Sequence, residues 1–412
     1  TEYPGLFLPD LIVYNPAMTV ITDTKVLSDF CGRLSQSSYI TVDTEFMREK
    51  TYWPQLCLVQ LANDDEAAAV DVLVDDIDLT PLLDLMANEN VMKVFHAARQ
   101  DLEIFFRLMG GLPAPLFDTQ VAAMVCGFGD SAGYETLVRN LTDQTIDKSS
   151  RFTDWAQRPL TDRQVSYALA DVTHLREVYA KLKQELTKNG RLEWLEEELG
   201  DLLDISNYTF PPEEAWRRVK SRGAKPRFLA ILKKIAAWRE REAQDKDLPR
   251  GRVLRDDALV EIAHHAPTKV AGLARVRGLG QRLAEGPMGD RLLDAIHAGL
   301  AVPDEELPQI KKRKPLPRGI GPITDFLKVL LKHKCEHHDV AQKLIATGDD
   351  LEKIAAYGDK ADAKALHGWR RDLFGSDALA VRAGRLAIVV NGQELELVEF
   401  VDDEETSSRG GP

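Results

Sequence analysis

The stretch Tyr39-Ile-Thr-Val-Asp43-Thr-Glu45-Phe46 decides how this chain is read, because a β-branched run ends in two acids two residues apart. Alternation along a strand puts Asp43 and Glu45 on one face. The same D-x-[DE] spacing recurs at Asp64/Glu66, Asp76/Asp78, Asp304/Glu306, Asp350/Glu352 and Asp403/Glu405, but in polar surroundings. Asp43 and Glu45 instead interrupt an apolar strand, where two anions are costly unless a cation or hydrogen-bond donors compensate. On pattern alone the pair reads equally as a metal site or as a strand end facing water.

Working outward, MTVIT (18–22), LCLVQLA (56–62) and AAAVDVL (67–73) are closely spaced apolar runs that predict neighbouring strands. VMKVFHA (91–97) and LFDT (116–119) are further strands, each leading into an amphipathic helix, so the fold class is an α/β sheet covered by helices. After about residue 120 helical periodicity takes over. Thr161 and Gln164 form a capping box, followed by a stripe of Val165, Ala168, Leu169, Val172, Leu175, Tyr179, Leu182 and Leu186. The acidic helix at 191–204 runs into Pro211-Pro212, a domain boundary. The predicted organisation is an extension at 1–17, a catalytic domain at 18–207 and a helical domain at 208–302. A proline-rich linker at 303–322, a second helical domain at 323–376 and a hairpin with a tail at 377–412 complete it.

Two further acids stand out. Asp101 lies in KVFHAARQDLEIFFRLM, in the first turns of a helix whose Leu102, Phe105, Phe106 and Met109 mark the buried face. The helix dipole alone favours an acid there. Tyr167-Ala-Leu-Ala-Asp171 has i, i+4 spacing, which places phenol and carboxylate together beside the apolar stripe. A surface acid with a boundary tyrosine gives the same pattern.

Taken together, DTEF, HAARQDLEIF and YALADVTHL resemble the three motifs of the DEDD 3′-5′ exonuclease superfamily, and the ribonuclease D family in particular. Ser166 stands where the histidine branch would carry its histidine, so the resemblance is to the tyrosine branch. LFDT, DKSSRFTDWAQRPL (147–160) and the helical region to about 300 extend it. It implies an RNase H-like domain and a 3′-5′ exoribonuclease that releases nucleoside 5′-monophosphates from RNA 3′ ends, with tRNA precursors as the substrate. It further implies two divalent cations, Mg²⁺ or Mn²⁺. Asp43 would bridge both, Glu45 and Asp171 would complete the water-activating site, Asp101 would hold the second cation partly through water, and Tyr167 would orient the attacking water. Four oxygen donors without a Cys/His set match such hard cations. A DNA exonuclease and an RNA-binding scaffold with a silent nuclease domain are the competing readings.

The overall charge of −13, from 66 acids and 53 bases in 412 residues, argues at first against nucleic acid. Locally the balance inverts: Arg217 to Arg255 holds 14 Lys/Arg and 4 Asp/Glu, a net +10, leaving −23 elsewhere. This segment resembles the HRDC domain, a helical nucleic-acid-binding module. Arg217, Arg218, Lys220, Arg222, Lys225, Arg227, Lys233 and Lys234 are its candidate phosphate contacts. Trp216, Phe228 and Trp238 among them read first as core, with base stacking as the alternative. Val276-Arg-Gly278-Leu-Gly280 is reminiscent of a helix-hairpin-helix turn, against the default of a helix cap. His333, Cys335, His337 and His338 lack a second ligand pair, which disfavours zinc. Four scattered cysteines and the lack of a long apolar run predict a reducing cytoplasm, no membrane span and, as the default assembly, a monomer.

Overall fold

In the computed structural model, residues 19–147, 149–221, 225–309 and 315–400 are described. The expected extension at 1–17, Arg222, the centre of the linker and the acidic tail lie outside them. The apolar runs form β1 (Val20–Ile21), β2 (Tyr39–Met47), β3 (Gln55–Ala62), β4 (Ala67–Asp71), β5 (Met92–Phe95) and β6 (Leu116–Asp118). Their order in the sheet is β1-β4-β3-β2-β5-β6. β2, β3 and β4 pair antiparallel in sequence order, whereas β1 pairs parallel with β4 and β5 parallel with β2. The mixed sheet with flanking helices is the fold class expected from the sequence.

β2 therefore has a partner on both edges, but not along its whole length. Its pairing with β5 ends at Thr41↔Val94, while pairing with β3 continues through Asp43↔Gln60 and Glu45↔Leu58 to a register shift before Phe46. The acids thus stand just past the end of the parallel pair, where one backbone edge opens. There β5 turns away through Ala97, held in the left-handed region at φ 57°.

Helices α1 (Thr24–Leu34), α2 (Thr80–Ala87) and α3 (Arg99–Met109) follow from amphipathic sequence, and the Asp23 carboxylate caps the first. α4 (Thr119–Val125) and α5 (Tyr134–Thr142) precede α6 (Asp162–Lys188), the long helix expected from the apolar stripe. The Thr161 hydroxyl accepts from the Gln164 backbone N–H at 3.3 Å and the Gln164 side-chain Oε1 accepts from the Thr161 N–H at 3.0 Å, which is the predicted capping box. Val165, Ala168 and Leu169 of α6 pack on Cys57, Leu58 and Ala69 of the sheet, together with Trp155.

The chain divides into two compact units, each assembled from three stretches of sequence. One draws on residues to Phe117, on Thr145–Glu177 and on Ile205–Asp304; the other draws on Asp118–Gln144, Val178–Asp204 and the described residues from Glu305 onward. The first unit holds the sheet and the first helical domain. That domain is built on α7's successor, α8 (Pro226–Asp245), once α7 (Leu192–Leu202) has ended. Phe228 and Trp238 are buried in its core and Trp216 packs against it, so all three are core residues. Val276–Gly280 lies between the single-turn helices Val270–Leu273 and Gln281–Ala284.

Tyr52, from the β2–β3 loop, is part of that helical core. Its hydroxyl donates to Glu240 and accepts from Arg250 at 2.6 Å and Gln244 at 3.2 Å. Asp247 accepts the backbone N–H groups of Tyr52 at 3.0 Å and Trp53 at 2.9 Å, and Arg107 of α3 lies 3.4 Å over the Trp53 ring. The loop that closes the catalytic strand is therefore seated in the helical domain. Asp247→Ala is expected to lower stability by about 1–3 kcal/mol, since two charge-assisted bonds vanish and alanine must adopt φ 49°. Urea unfolding measures this, and an unchanged midpoint would contradict the seating.

In the second unit, buried Arg370 donates to Glu197 and to the Leu344 carbonyl, and pairs with Glu198. Trp194 and Trp369 stack with centroids 4.1 Å apart. The acidic helix α7 is thereby held by a C-terminal region that includes helices Gly321–His337 and Gly348–Tyr357. The unit ends in the predicted hairpin, β7 (Leu386–Asn391) and β8 (Glu394–Glu399), with Gly392 at φ 63° in the turn.

Candidate active site

Strand β2 and helix α6 bring three of the predicted acids together. Candidate ligand oxygens of Asp43, Glu45 and Asp171 all lie within 4.8 Å of one another, the one such His/Cys/Asp/Glu group among the described residues. The His333–His338 set forms no such group among these residues. Thr41, two residues before Asp43 and on the same strand face, donates its hydroxyl to the Val172 carbonyl at 2.8 Å. This bond pins α6 to β2 one residue from Asp171.

Tyr167 lies one helical turn before Asp171 and hydrogen-bonds its carboxylate. The Tyr167 ring is 6.1 Å from that of Trp155, in the loop that precedes α6. Asp101 stands beside the group of three rather than within it. It occupies the first turn of α3 and accepts the hydroxyl of Thr44, the residue between the two strand acids. Two positions further along α3, Glu103 makes a bidentate pair with Arg48 of the β2 end, at 2.8 Å for both bonds. The start of α3 and the end of β2 are thus fastened together at Asp101 and again at Glu103.

The electrostatics follow from crowding anions away from water. Burial raises the Asp43 carboxyl well above the ordinary range, and the charges of Asp171, Asp101 and Glu45 raise it further against the opposing Thr44 N–H. Glu45 is pushed up to about 9 by burial and then by Asp171 and Asp101. Asp171 rises to about 7 through burial, held back by the Tyr167 hydroxyl and the charge of Arg151. The Tyr167 phenol is raised beyond its usual range by burial and the neighbouring acids. A cluster of oxygen donors that holds protons at neutral pH for want of a counter-charge fits a hard divalent cation, which would take the protons' place.

Three participants were not singled out from the sequence. Gln60, fully buried, sits directly across from Asp43 and is visible only as a polar residue inside LCLVQLA. Thr44 reads as a spacer until α3 is placed beside it. Arg151, whose charge acts on Asp171, lies twenty positions before it along the chain, and nothing local announces the pairing.

The basic segment is more heavily committed than its composition implies. Arg217 pairs with Glu214, Arg218 lies 4.9 Å over Phe210, and Arg227 donates to the Leu300 carbonyl at 2.9 Å and to Asp304. Arg239 and Arg250 pair with Asp256 and Glu240, and Lys246 with Glu242. Lys220, Lys225 and Lys234 are exposed, whereas Lys233 is half-buried. A groove beside Arg218 and Lys220 also carries Asp256, Asp257 and Glu261, so its lining is mixed in sign. Exposed pairs such as Arg217–Glu214 are weak and can exchange for phosphate; the buried ones serve the fold.

Residues 18–187 match the family described as 3′-5′ exonuclease, and residues 228–296 match the HRDC domain. The chain is 50% identical to ribonuclease D of Nitrobacter hamburgensis, over 93% of this chain and 100% of that one. It is 49% identical to ribonuclease D of Gluconacetobacter diazotrophicus, over 93% and 97% respectively. Among solved structures, Escherichia coli RNase D, described as an exoribonuclease involved in structured RNA processing, superposes with a TM-score of 0.76. It is 31% identical, over 89% of this chain and 98% of that chain.

Proposed function

The chain belongs to the ribonuclease D family of 3′-5′ exoribonucleases, and from that premise we propose that Asp43, Glu45, Asp101 and Asp171 hold two divalent cations, Mg²⁺ or Mn²⁺, to trim the 3′ ends of tRNA precursors. The enzyme is a hydrolase acting on RNA. The observation that carries the assignment of the site is the convergence of Asp43, Glu45 and Asp171 from a strand and a helix, with Asp101 beside them. When bound, such a cation pair lowers the pKa of water and offsets charge on the leaving oxygen.

The protein's own groups supply position. Asp43 and Glu45 share a rigid central strand, and Asp171 is fixed to it through the Thr41–Val172 bond. Tyr167, with its phenol pKa raised, keeps its proton at neutral pH and acts as a hydrogen-bonding positioner of the attacking water rather than as its base. The exposed lysines of the helical domain, Lys220, Lys225 and Lys234, and the exchangeable Arg217 and Arg218 contact RNA phosphates. Arg227 and Lys233 contribute to that surface from its partly buried margin. The domains follow the limits 18–207, 208–302 and 323–376.

The test is digestion of 3′-labelled and 5′-labelled RNA, DNA and a tRNA precursor, with and without Mg²⁺ or Mn²⁺, by the parent and by Tyr167→Phe. Release of nucleoside 5′-monophosphate from the 3′ end of RNA, dependent on the cation, is expected. Tyr167→Phe should lower kcat about 100-fold with KM within about twofold, as for loss of a group that orients the reacting water. Cation-independent hydrolysis, or an unchanged kcat in Tyr167→Phe, would overturn the assignment of these residues.

A further inference from the structure

Phe152 is the most solvent-exposed large apolar side chain among the described residues, 91% accessible to water. Single exposed aromatics are ordinary on a protein surface. This one is set apart by its surroundings.

Its neighbour Thr153 accepts a hydrogen bond from the Gln164 side chain at 3.2 Å, and Gln164 also caps α6 one turn before Tyr167. Trp155 packs into the core below α6, with its ring 6.1 Å from that of Tyr167. Arg158 secures the far end of the loop, donating to Asp71 at 2.6 Å and to the Cys57 carbonyl at 2.9 Å. The loop backbone is therefore fastened on its C-terminal side to the catalytic helix and to the sheet. Its one outward aromatic is held a residue away from that anchor. The Arg151 guanidinium lies 5.2 Å from the Phe152 ring centroid, and its charge reaches Asp171 of the acid cluster.

The combination has a definite chemistry. A flat aromatic face open to water offers stacking to any nucleobase, and a guanidinium beside it offers charge to a phosphate. The enzyme's substrate presents both groups at the 3′ end that must enter the acid cluster. A cation whose charge reaches Asp171 also offsets part of the repulsion that an incoming phosphate would meet at the acid cluster. Pairing of part of the basic helical segment within the fold, as at Arg239 and Arg250, adds weight to a grip close to the chemistry.

We propose that Phe152 and Arg151 form a substrate subsite at the mouth of the acid cluster, in which Phe152 stacks on a base near the RNA 3′ end while Arg151 contacts an adjoining phosphate. The subsite is indifferent to base identity, because every base has a π face. It also distinguishes a single-stranded end, whose bases are free to stack, from one held in a duplex.

The experiment compares the parent, Phe152→Ala and Phe152→Trp on two single-stranded RNA oligomers in Mg²⁺. The oligomers are identical except that one is abasic at its last three positions, and release of the 3′-terminal residue is followed. On the intact oligomer, Phe152→Ala should lower kcat/KM about 10- to 100-fold, mostly through KM, from the usual cost of losing one stacked base. Phe152→Trp should stay within about threefold of the parent. On the abasic oligomer, parent and Phe152→Ala should agree within about twofold. An equal loss on both oligomers, or no loss on the intact one, overturns the proposal. Hydrolysis of the intact oligomer by the parent keeps this outcome separate from a failure of the exoribonuclease assignment.

Discussion

Asp43→Asn is expected to lose RNA hydrolysis by about 1,000-fold or more while making the metal-free protein more stable, by at least about 1 kcal/mol near pH 8. The two effects have one cause. Asp43 lies at the centre of the acid cluster, and its carboxyl is raised by burial and by all three neighbouring acids. In the metal-free fold that environment is unfavourable for a carboxylate, and an amide of the same shape removes the penalty. The same carboxylate belongs, with Glu45 and Asp171, to the group proposed to hold the cations. Several kcal/mol of charge stabilisation in the transition state depend on cations held in place, and each 1.36 kcal/mol is worth tenfold in rate. Single-turnover hydrolysis and urea unfolding without metal measure the two quantities. A variant that lost activity and stability together would instead make Asp43 a structural acid.

Much of this site was legible because its signals are local. Asp43 and Glu45 show their shared face through period-two spacing, and Tyr167 and Asp171 through the i, i+4 relation on a helix whose capping box is also readable. What could not be read is set by contacts distant along the chain. Tyr52 resembles any loop tyrosine, yet it is buried and bonded to Glu240 and Arg250, nearly two hundred positions away. Asp101, expected to hold the second cation partly through water, stands to one side of the three-acid group, where it accepts the Thr44 hydroxyl, a contact that its place near a helix N-terminus does not announce. The +10 segment was legible as a count, but composition does not distinguish a cation facing water from Arg239, which is buried against Asp256. The two units are likewise hidden, because α6 begins in one and ends in the other.

Between about pH 6.5 and 8, the metal-free protein is expected to become less stable as pH rises, by at least roughly 2 kcal/mol, and saturating Mg²⁺ should reverse the trend. The sign follows from proton counts. Glu45 is raised from 4.5 to about 9 and Asp171 from 3.8 to about 7 in the folded protein, both first by burial. Through this window the folded state therefore holds protons that the unfolded chain has released. Stability falls with pH wherever the native state binds more protons, so the contribution is complete below about pH 4 and is lost as pH passes through 7 and then 9. Two other buried groups act in the opposite sense and define the window. Burial lowers His174 beneath 6.5 and Lys93 from 10.5 to about 8, so their effects fall below pH 6.5 and above pH 8 respectively. Binding of a divalent cation requires these carboxylates and that of Asp43 to be unprotonated, so it should release at least about one proton at pH 7 and tighten as pH rises. Urea unfolding across the window, paired with calorimetric titration of Mg²⁺ in buffers of different ionisation enthalpy, measures both effects. A metal-free stability that is flat with pH, or cation binding that releases no proton, would mean that the acids are already charged in the empty site and that a counter-charge within the protein, not a bound cation, holds them together.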